Sequence, residues 1–323
     1  VFKLIKYKQQ PHKVSSFHAA FAGGASGAIT RAIAQPLDVI KVRFQLQLEP
    51  IKHGSKYSSM LQATSAIVKE EGFSALWSGH IPAQYLSITY GVVQFTVFEK
   101  LIELCRNSNN EMFNTHRHVV NFVSGGIAAT VATIVSFPFD TVRTRLIAEK
   151  KTQKAYKGFT NAALTMVKTE GSLSLFKGLL LTLGQIAPHA GVQFATYKLL
   201  TDNILVNLAF FQKQKVLTDT IELTMLGSLM AGSVAGLVGK TVIYPFDLLK
   251  KRLQIQGFQE HRSSFGRQMY CNGMLNCVQL TIREEGFFAL YKGFYPSLMK
   301  AVLVSALHFA LYDEIKHLLS RPS

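Results

Sequence analysis

The sequence predicts an all-α membrane protein in which six transmembrane helices form three tandem repeats around a central cavity, with pseudo-threefold symmetry. Two observations carry this prediction. An element of proline, acid and bases recurs about every hundred residues, and six apolar segments are long enough to span a bilayer. A mean hydropathy of +0.18 with 48% apolar residues suits helices that each have one polar face. Each repeat then consists of a long helix, a short amphipathic helix and a second long helix.

The recurring element places charges at the end of an apolar segment, where an uninterrupted membrane helix would carry none. In the first copy, Pro36 and Asp38 are followed by Lys41 and Arg43. One copy would also fit an ordinary helix start in a soluble protein, but three copies in register indicate one unit used three times. The other copies are Pro138, Asp140, Arg143 and Arg145, and Pro245, Asp247, Lys250 and Arg252.

Small residues, apolar runs and glycines predict where the helices begin and end. Small residues such as Gly23 and Gly27 allow the backbones of membrane helices to approach closely. The short helices all end at glutamate followed by glycine, which predicts a C-terminal glycine with positive φ. Long helices are predicted over residues 17–47, 80–104, 119–146, 179–205, 223–254 and 294–319, and short ones over 58–71, 159–170 and 274–285.

These segments divide the chain into an extension and three repeats. Residues 1–16 carry lysines but no long apolar run, which argues against a secretory signal and predicts a polar basic extension, with a short basic amphipathic presequence as the alternative. Polar linkers are expected near residues 107–115 and 211–218. The predicted bounds are 17–112 for repeat one, 113–212 for repeat two and 213–323 for repeat three.

The net charge of +16 indicates an anionic partner, which could be nucleic acid, acidic lipid or a charged solute. The basic residues show no recognised nucleic-acid-binding motif, so a basic membrane-associated nucleic-acid-binding protein is a remote alternative. An enzyme is not expected. Gly239, Lys240 and Thr241 resemble the end of a phosphate-binding loop, but Val234 stands where that motif needs glycine.

The three cysteines carry no metal-site signature. Cys105, Cys271 and Cys277 are an odd number without metal-ligand spacing, which predicts reduced thiols rather than a disulfide framework. Neither a metal nor a cofactor is expected.

The repeated motifs resemble the mitochondrial carrier family. Each copy of Pro-x-Asp-x-x-Lys/Arg-x-Arg is followed by Glu-Gly and then by an aromatic residue, one further residue and glycine. That further residue is Lys177 or Lys292 in two repeats but Ser78 in the first, where the family prefers a base. The likeness covers nearly the whole chain. It implies a monomeric, multi-pass carrier of the mitochondrial inner membrane that exchanges a phosphate-bearing solute by alternating access, binds cardiolipin and uses no cofactor.

In the family, the charges of the recurring element close the cavity on the matrix side. A charge at mid-membrane costs about 2.5 to 3.5 kcal/mol on insertion scales, so these charges must face water or pair with one another. The resemblance implies that each acid pairs with a base of a different repeat, with glutamine braces one turn beyond two of the bases. The implied pairs are Asp38 with Arg143, Asp140 with Lys250 and Asp247 with Lys41, and the implied braces are Gln45 and Gln254.

A second gate is expected on the cytoplasmic side, where the family uses an aromatic residue, an acid and a base late in the second helix of each repeat. Only Asp313 with Lys316 keeps this pattern in full. The expected pairs are Glu99 with Lys316 and Asp313 with Lys198. Because this gate is weak, we expect the empty carrier to be closed on the matrix side and open outward.

The substrate is expected to meet three cations. Arg31 and Lys240 each lie seven residues before a gate acid and therefore project from the same helical face, about two turns deeper into the cavity. The family's contact positions on the second helices add Lys300. Three buried cations without acidic partners repel one another, so the empty site is expected to favour a diphosphate or triphosphate. Tyr90 could stack on a ring, although both Tyr90 and His189 also fit plain cavity lining. The remaining contact positions are Leu86, Gln185 and Ile186.

Overall fold

The computed structural model describes residues 16–48, 55–107, 117–149, 156–205, 212–214, 221–223, 225–257, 271 and 273–319. Within these residues, the predicted all-α fold of six long and three short helices is confirmed. The N-terminal extension, except for its last residue, and most of the linker near residues 107–115 lie outside the described residues.

The helix bounds agree with the sequence prediction to within a few residues. The long helices are α1 (Ser16–Leu46), α3 (His80–Asn107), α4 (Arg117–Ala148), α6 (Leu179–Leu199), α7 (Met225–Gln254) and α9 (Phe294–Leu319). The short helices are α2 (Met60–Glu71), α5 (Phe159–Glu170) and α8 (Met274–Glu285). A 3-10 turn follows each short helix, at Phe73–Trp77, Ser172–Phe176 and Phe287–Tyr291.

Two local features depart from straight α-helix. A π-helical segment, Leu200–Leu205, follows α6 directly. Beyond it, β1 (Gln212–Gln214) pairs antiparallel with β2 (Ile221–Leu223), with Gln212 opposite Leu223. This ribbon occupies part of the region that the sequence analysis predicts to be a polar linker.

Among the described residues, the helices Arg117–Ala148 and Gly227–Gln254 are long and apolar enough, by length and composition, to cross a membrane.

The long helices close into a ring. The second helix of each repeat packs along the first helix of the next: α3 along α4, α6 along α7, and α9 along α1. The helices α1, α4 and α7 continue through Pro36, Pro138 and Pro245, so the charged residues that follow each proline occupy helical positions. These charges therefore converge on the axis of the ring.

Buried ion pairs fix each short helix to the first helix of its own repeat. Arg43 donates to both carboxylate oxygens of Glu71 at 2.5 and 2.8 Å, and both side chains are almost fully buried. Arg145 with Glu170 and Arg252 with Glu285 make the same two-pronged contact. Such bidentate pairs hold the guanidinium and the carboxylate in one orientation.

The predicted glycine ends of the short helices are confirmed. Gly72, Gly171 and Gly286 have φ values of 84°, 83° and 86°, a region that residues with a Cβ rarely adopt. The backbone N–H of each glycine donates back to a carbonyl of the last helical turn.

The prediction of reduced thiols is wrong for two of the three cysteines. Cys271 and Cys277 form a disulfide, and their Cα atoms are 4.8 Å apart. Cys105 is free. The error arises because an odd cysteine count says nothing of local geometry, whereas the turn into α8 brings these two side chains together.

Candidate substrate cavity and gate

The structure brings together the three acid–base pairs that the sequence analysis predicts. We call the six residues Asp38, Lys41, Asp140, Arg143, Asp247 and Lys250 the matrix ring. Arg143 lies 2.5 Å from Asp38, Lys250 lies 2.8 Å from Asp140, and Lys41 lies 3.0 Å from Asp247. Each pair joins two repeats, so the ring ties α1, α4 and α7 together at one level.

A second lysine, which the sequence analysis missed, binds Asp140. The Nζ atom of Lys251 lies 3.0 and 3.2 Å from the two carboxylate oxygens and also donates to Thr144 and Gln254. The available signal was the doubled lysine of the third copy, since Val42 and Thr144 follow the corresponding bases in the other copies. Asp140 therefore carries two lysine contacts.

The two predicted glutamine braces differ in what they contact. Gln254 donates to Asp140 at 2.9 Å and so supports the ring from its acid. Gln45 donates instead to the Tyr244 hydroxyl at 3.2 Å, and that hydroxyl donates to the carbonyl of Lys292 at 2.9 Å. Gln45 therefore links α1 to α7 and to the turn before α9, without a direct bond to a ring charge among the described contacts.

Glycines at the start of α3, α6 and α9 pack against the backbone of the ring bases. Gly293 has φ +79°, and a Cβ placed on it would lie 2.8 Å from the carbonyl oxygen of Lys41. Gly79 has φ +71°, and its Cβ would lie 3.0 Å from the carbonyl oxygen of Arg143. Only a residue without a side chain permits this approach, so the closed ring depends on glycine at the start of the neighbouring helix.

Two pockets open above the ring. The first has a volume of about 430 Å³ and the second about 510 Å³, both within the range of small-molecule sites. Each pocket is lined by at least one cation predicted to meet substrate and by at least one ring residue. The first is lined by Arg31, Leu86, Tyr90, Thr133, Asp140 and Lys250, and the second by Gln185, Ile186, His189, Lys240, Tyr244 and Asp247.

Each of the three cations predicted to meet the substrate has a hydrogen-bond partner in the structure. The Nζ atom of Lys300 donates to Asp38 at 2.6 Å, on the carboxylate oxygen that Arg143 does not use. Lys240 donates to the carbonyl of Ser297 at 2.6 Å, and Arg31 to that of Ala83 at 3.4 Å. The expectation that the empty site holds three cations without an acidic partner is therefore wrong for Lys300.

Gln185 is one of the residues that line the second pocket. Its Oε1 atom is buried and, within the described part of the chain, has no hydrogen-bond partner. A buried amide oxygen left in this state favours a ligand that donates a hydrogen bond to it.

The cytoplasmic gate stays a prediction. Glu99 on α3 and Lys198 on α6 are exposed, and no ion pair between described residues includes either of them. The side chains of Asp313 and Lys316 lie outside the described residues, although both positions fall within α9.

Comparison with known proteins agrees with this architecture. The profile of the family described as "Mitochondrial carrier protein" matches residues 12–109, 114–207 and 222–323. The chain belongs to the mitochondrial carrier family. It is accordingly a multi-pass protein of the mitochondrial inner membrane, and its family places it among transporters.

The similar relatives are all named as mitochondrial carriers of the same molecule. The chain is 42% identical to the mitochondrial thiamine pyrophosphate carrier of Bos taurus over 95% of this chain and 94% of that protein. It is 40% identical to the carrier of the same name in Homo sapiens, over 93% and 91%. Mitochondrial thiamine diphosphate carrier 1 of Arabidopsis thaliana is 34% identical over 91% of both chains.

Proposed function

We propose that this protein exchanges thiamine pyrophosphate between the cytosol and the mitochondrial matrix by alternating access. The substrates named for the relatives support this proposal. Three stretches of the sequence, residues 79–95, 188–194 and 244–258, also resemble the thiamine pyrophosphate carrier within the family. The transported molecule is a substrate, and the protein needs no cofactor for this activity.

The observation that carries the proposal is the position of Lys300. This lysine binds Asp38 of the matrix ring and also lies at the depth where substrate is expected. A diphosphate offers denser negative charge than one carboxylate, so it competes with Asp38 for the ammonium group. Binding of the substrate therefore removes one of the two cations that hold Asp38.

The cavity offers different partners to the two ends of the substrate. The diphosphate is placed near Arg31, Lys240 and Lys300, where its charge is met. The cationic thiazolium or the pyrimidine ring is placed against Tyr90, since an aromatic face attracts a cation by about 0.5 to 2 kcal/mol. Gln185 then faces the polar edge of the substrate, with Leu86, Ile186 and His189 as lining.

Alternating access follows from the two gates. The matrix ring, braced by Gln45 and Gln254, holds the empty carrier closed toward the matrix. Once the substrate has loosened the ring, closure on the other side is assigned to Glu99 with Lys316 and Asp313 with Lys198. The carrier works as a monomer, because one chain supplies all three ion pairs of the matrix ring.

Counter-exchange in proteoliposomes tests the substrate. Vesicles loaded with thiamine pyrophosphate should take up labelled thiamine pyrophosphate faster than thiamine monophosphate, ADP, dATP or coenzyme A. The alternative is a carrier for another phosphate-bearing nucleotide or cofactor, which the same three cations would also suit. Faster exchange of ADP, a deoxynucleotide or coenzyme A would favour that alternative. Purified protein is expected to hydrolyse no nucleotide and to bind no nucleic acid at physiological salt.

Cardiolipin is the proposed lipid partner. A cavity of about 180 Å³ between repeats one and two is lined by Ser78, Gly79, Lys157 and Gly158, and also by Glu149, whose carboxylate accepts from the backbone N–H of Tyr156. Backbone N–H groups at helix starts and the Lys157 ammonium suit a lipid phosphate. Thermal stabilisation by added cardiolipin should decrease in Lys157→Ala and stay unchanged in Lys100→Ala, whose lysine is exposed on α3.

A further inference from the structure

The third repeat differs from the other two at a pair of positions that flank the start of its short helix. Cys271 lies three residues before the first residue of α8, and Cys277 lies three residues after it. At the equivalent positions the first repeat has Tyr57 and Ala63, and the second has Tyr156 and Ala162. All six residues are buried.

The tyrosines of the first two repeats contact the arginine that fixes the short helix. Arg43 donates to the Tyr57 hydroxyl at 3.4 Å. Arg145 interacts in the same way with Tyr156, and burial raises the pKa of that hydroxyl. The loop residue before the short helix is thereby attached to the first helix of its own repeat.

The third repeat attaches the same loop residue in another way. Arg252 donates at 2.8 Å to the hydroxyl of Thr281 on α8, where Ile67 and Met166 stand in the other repeats. Cys271 is bonded to Cys277 on α8 instead. The residue before the short helix is therefore held by a sulfur–sulfur bond in the third repeat, whereas in the other two repeats it is held by a contact between a hydroxyl and a guanidinium group.

The redox conditions of the compartment bear on this bond. Disulfides inside cells are uncommon, and those that occur are usually transient, because thiol pools reduce them. The short helices lie on the matrix side of the ring, as the family resemblance implies. Of the two cysteines, Cys271 is the more exposed, at 7% against 0% for Cys277. The first reaction with a soluble reactant is therefore assigned to Cys271.

We infer that Cys271 and Cys277 form a reversible dithiol–disulfide site whose reactant is a low-molecular-weight disulfide of the glutathione type. The Cys271 thiolate attacks one sulfur of that molecule, forms a mixed disulfide and releases one small thiolate. The Cys277 thiolate then attacks the Cys271 sulfur and displaces the second. In total, two protein thiols are oxidised to one disulfide, and one small disulfide is reduced to two thiols.

Oxidation at this site acts on the junction between repeats two and three. Gln256, two residues beyond the end of α7, donates to the carbonyl of Cys271 at 3.1 Å. The carbonyl of Gln256 accepts from Arg145 and from Lys177, each at 2.9 Å. The oxidised pair therefore fastens Cys271, whose carbonyl joins the polar network of the neighbouring repeat through Gln256, and the reduced pair leaves Cys271 with fewer attachments.

Differential alkylation of the full chain in proteoliposomes tests the site. Across a series of glutathione to glutathione disulfide ratios, Cys271 and Cys277 should lose their reactive thiols together, while Cys105 follows its own curve. In Cys277→Ser, Cys271 should retain a glutathione adduct. The inference is overturned if both thiols stay alkylatable at every ratio, or if the adduct is found on Cys105 alone.

Thermal unfolding supplies a second measurement with a matched variant. Reduction should lower the Tm of the unmodified protein by about 3 °C or more, because it opens a short covalent loop. The double variant Cys271→Tyr with Cys277→Ala copies the other repeats and should not respond to reduction, whereas Cys105→Ser should respond like the unmodified protein. An equal response in the double variant would contradict the inference. Neither readout depends on the transported substrate.

Discussion

Lys300 donates a hydrogen bond of 2.6 Å to Asp38, a residue 262 positions earlier in the chain. Because Arg143 holds the other oxygen of that carboxylate, a cation at substrate depth is also a member of the closed ring. Any anion that binds Lys300 more strongly than Asp38 does shifts the equilibrium away from the closed ring. Substrate affinity and ring stability are therefore coupled through one ammonium group.

Replacing Lys300 with alanine should lower thiamine pyrophosphate exchange by at least about tenfold, because a charge-assisted contact to phosphate contributes roughly 1.5 to 3 kcal/mol. The measurement is the initial rate in proteoliposomes. Lys100→Ala is the control, since Lys100 is exposed and pairs only with its helical neighbour Glu103 among the described contacts. Unchanged exchange in Lys300→Ala would rule out Lys300 as a substrate ligand.

Neutralising Asp140 should destabilise the closed protein more than neutralising Asp247. Asp140→Asn leaves Lys250 and Lys251 without their common acid, whereas Asp247→Asn leaves Lys41 alone. Loss of one partner of a buried pair typically destabilises a protein by about 3 to 5 kcal/mol. Thermal unfolding without substrate should therefore show the larger decrease in Tm for Asp140→Asn. The reverse order would contradict the double role of Asp140.

Gly293→Ala should prevent full closure of the ring, since the added Cβ meets the carbonyl of Lys41 and the positive φ disfavours any side chain. We expect a lower Tm and an exchange rate reduced several-fold. Gly232→Ala is the matched control because a Cβ there meets no atom within 4 Å. Two variants that behave alike would show that glycine is not required at the start of α9.

A cysteine in place of Thr133 should report which side of the cavity is open. Thr133 lines the first pocket above Asp140. In the absence of substrate, a membrane-impermeant thiol reagent added on the cytoplasmic side should label Thr133→Cys, and thiamine pyrophosphate should protect it. Protection from the outside reagent without substrate would contradict an outward-open resting state.

Stability at acid pH should depend on Glu170, which lies at the end of α5. Burial alone would raise the pKa of this carboxyl, but hydrogen bonds from Arg145 and Lys177 outweigh burial and lower the pKa below its usual value. Because the pKa of Glu170 is lower in the folded state, its ionised carboxylate stabilises the protein at pH values above the unfolded pKa of about 4.3. This stabilisation is lost as the pH falls through the folded pKa. Glu170→Gln should therefore have a lower Tm at pH 7 and a flatter decline below pH 5, whereas Glu70→Gln, with a more exposed carboxyl, should follow the unmodified protein.

The sequence predicted the parts of the fold that depend on local pattern and on symmetry. Helix bounds follow from apolar runs and glycines, and the pairs of the matrix ring follow once three copies are placed around one axis. The pairing of Asp38 with Arg143 is one such case. That prediction needs no separate argument for the position of Arg143 on α4, because the symmetry of the repeats supplies it.

The sequence did not predict contacts that break the symmetry. Spacing assigns Lys300 to a helical face, but it does not say that a long, flexible side chain reaches across to Asp38. Lys251 was missed for the same reason, since its neighbour Lys250 already supplied the expected base. The bond between Cys271 and Cys277 depends on the turn into α8, which the sequence pattern leaves open.

The three acids of the ring are held unequally, although the helices that carry them are related by symmetry. Asp140 has two lysines and a glutamine, and Asp38 has Arg143 and Lys300. Among the described contacts, Asp247 has Lys41 alone, and its side chain is 32% exposed against 10% for Asp140. The contact between α1 and α7 is therefore the least supported of the three, and the contact between α4 and α7 is the most supported. A scaffold with threefold symmetry thus carries a gate whose three sides differ in strength.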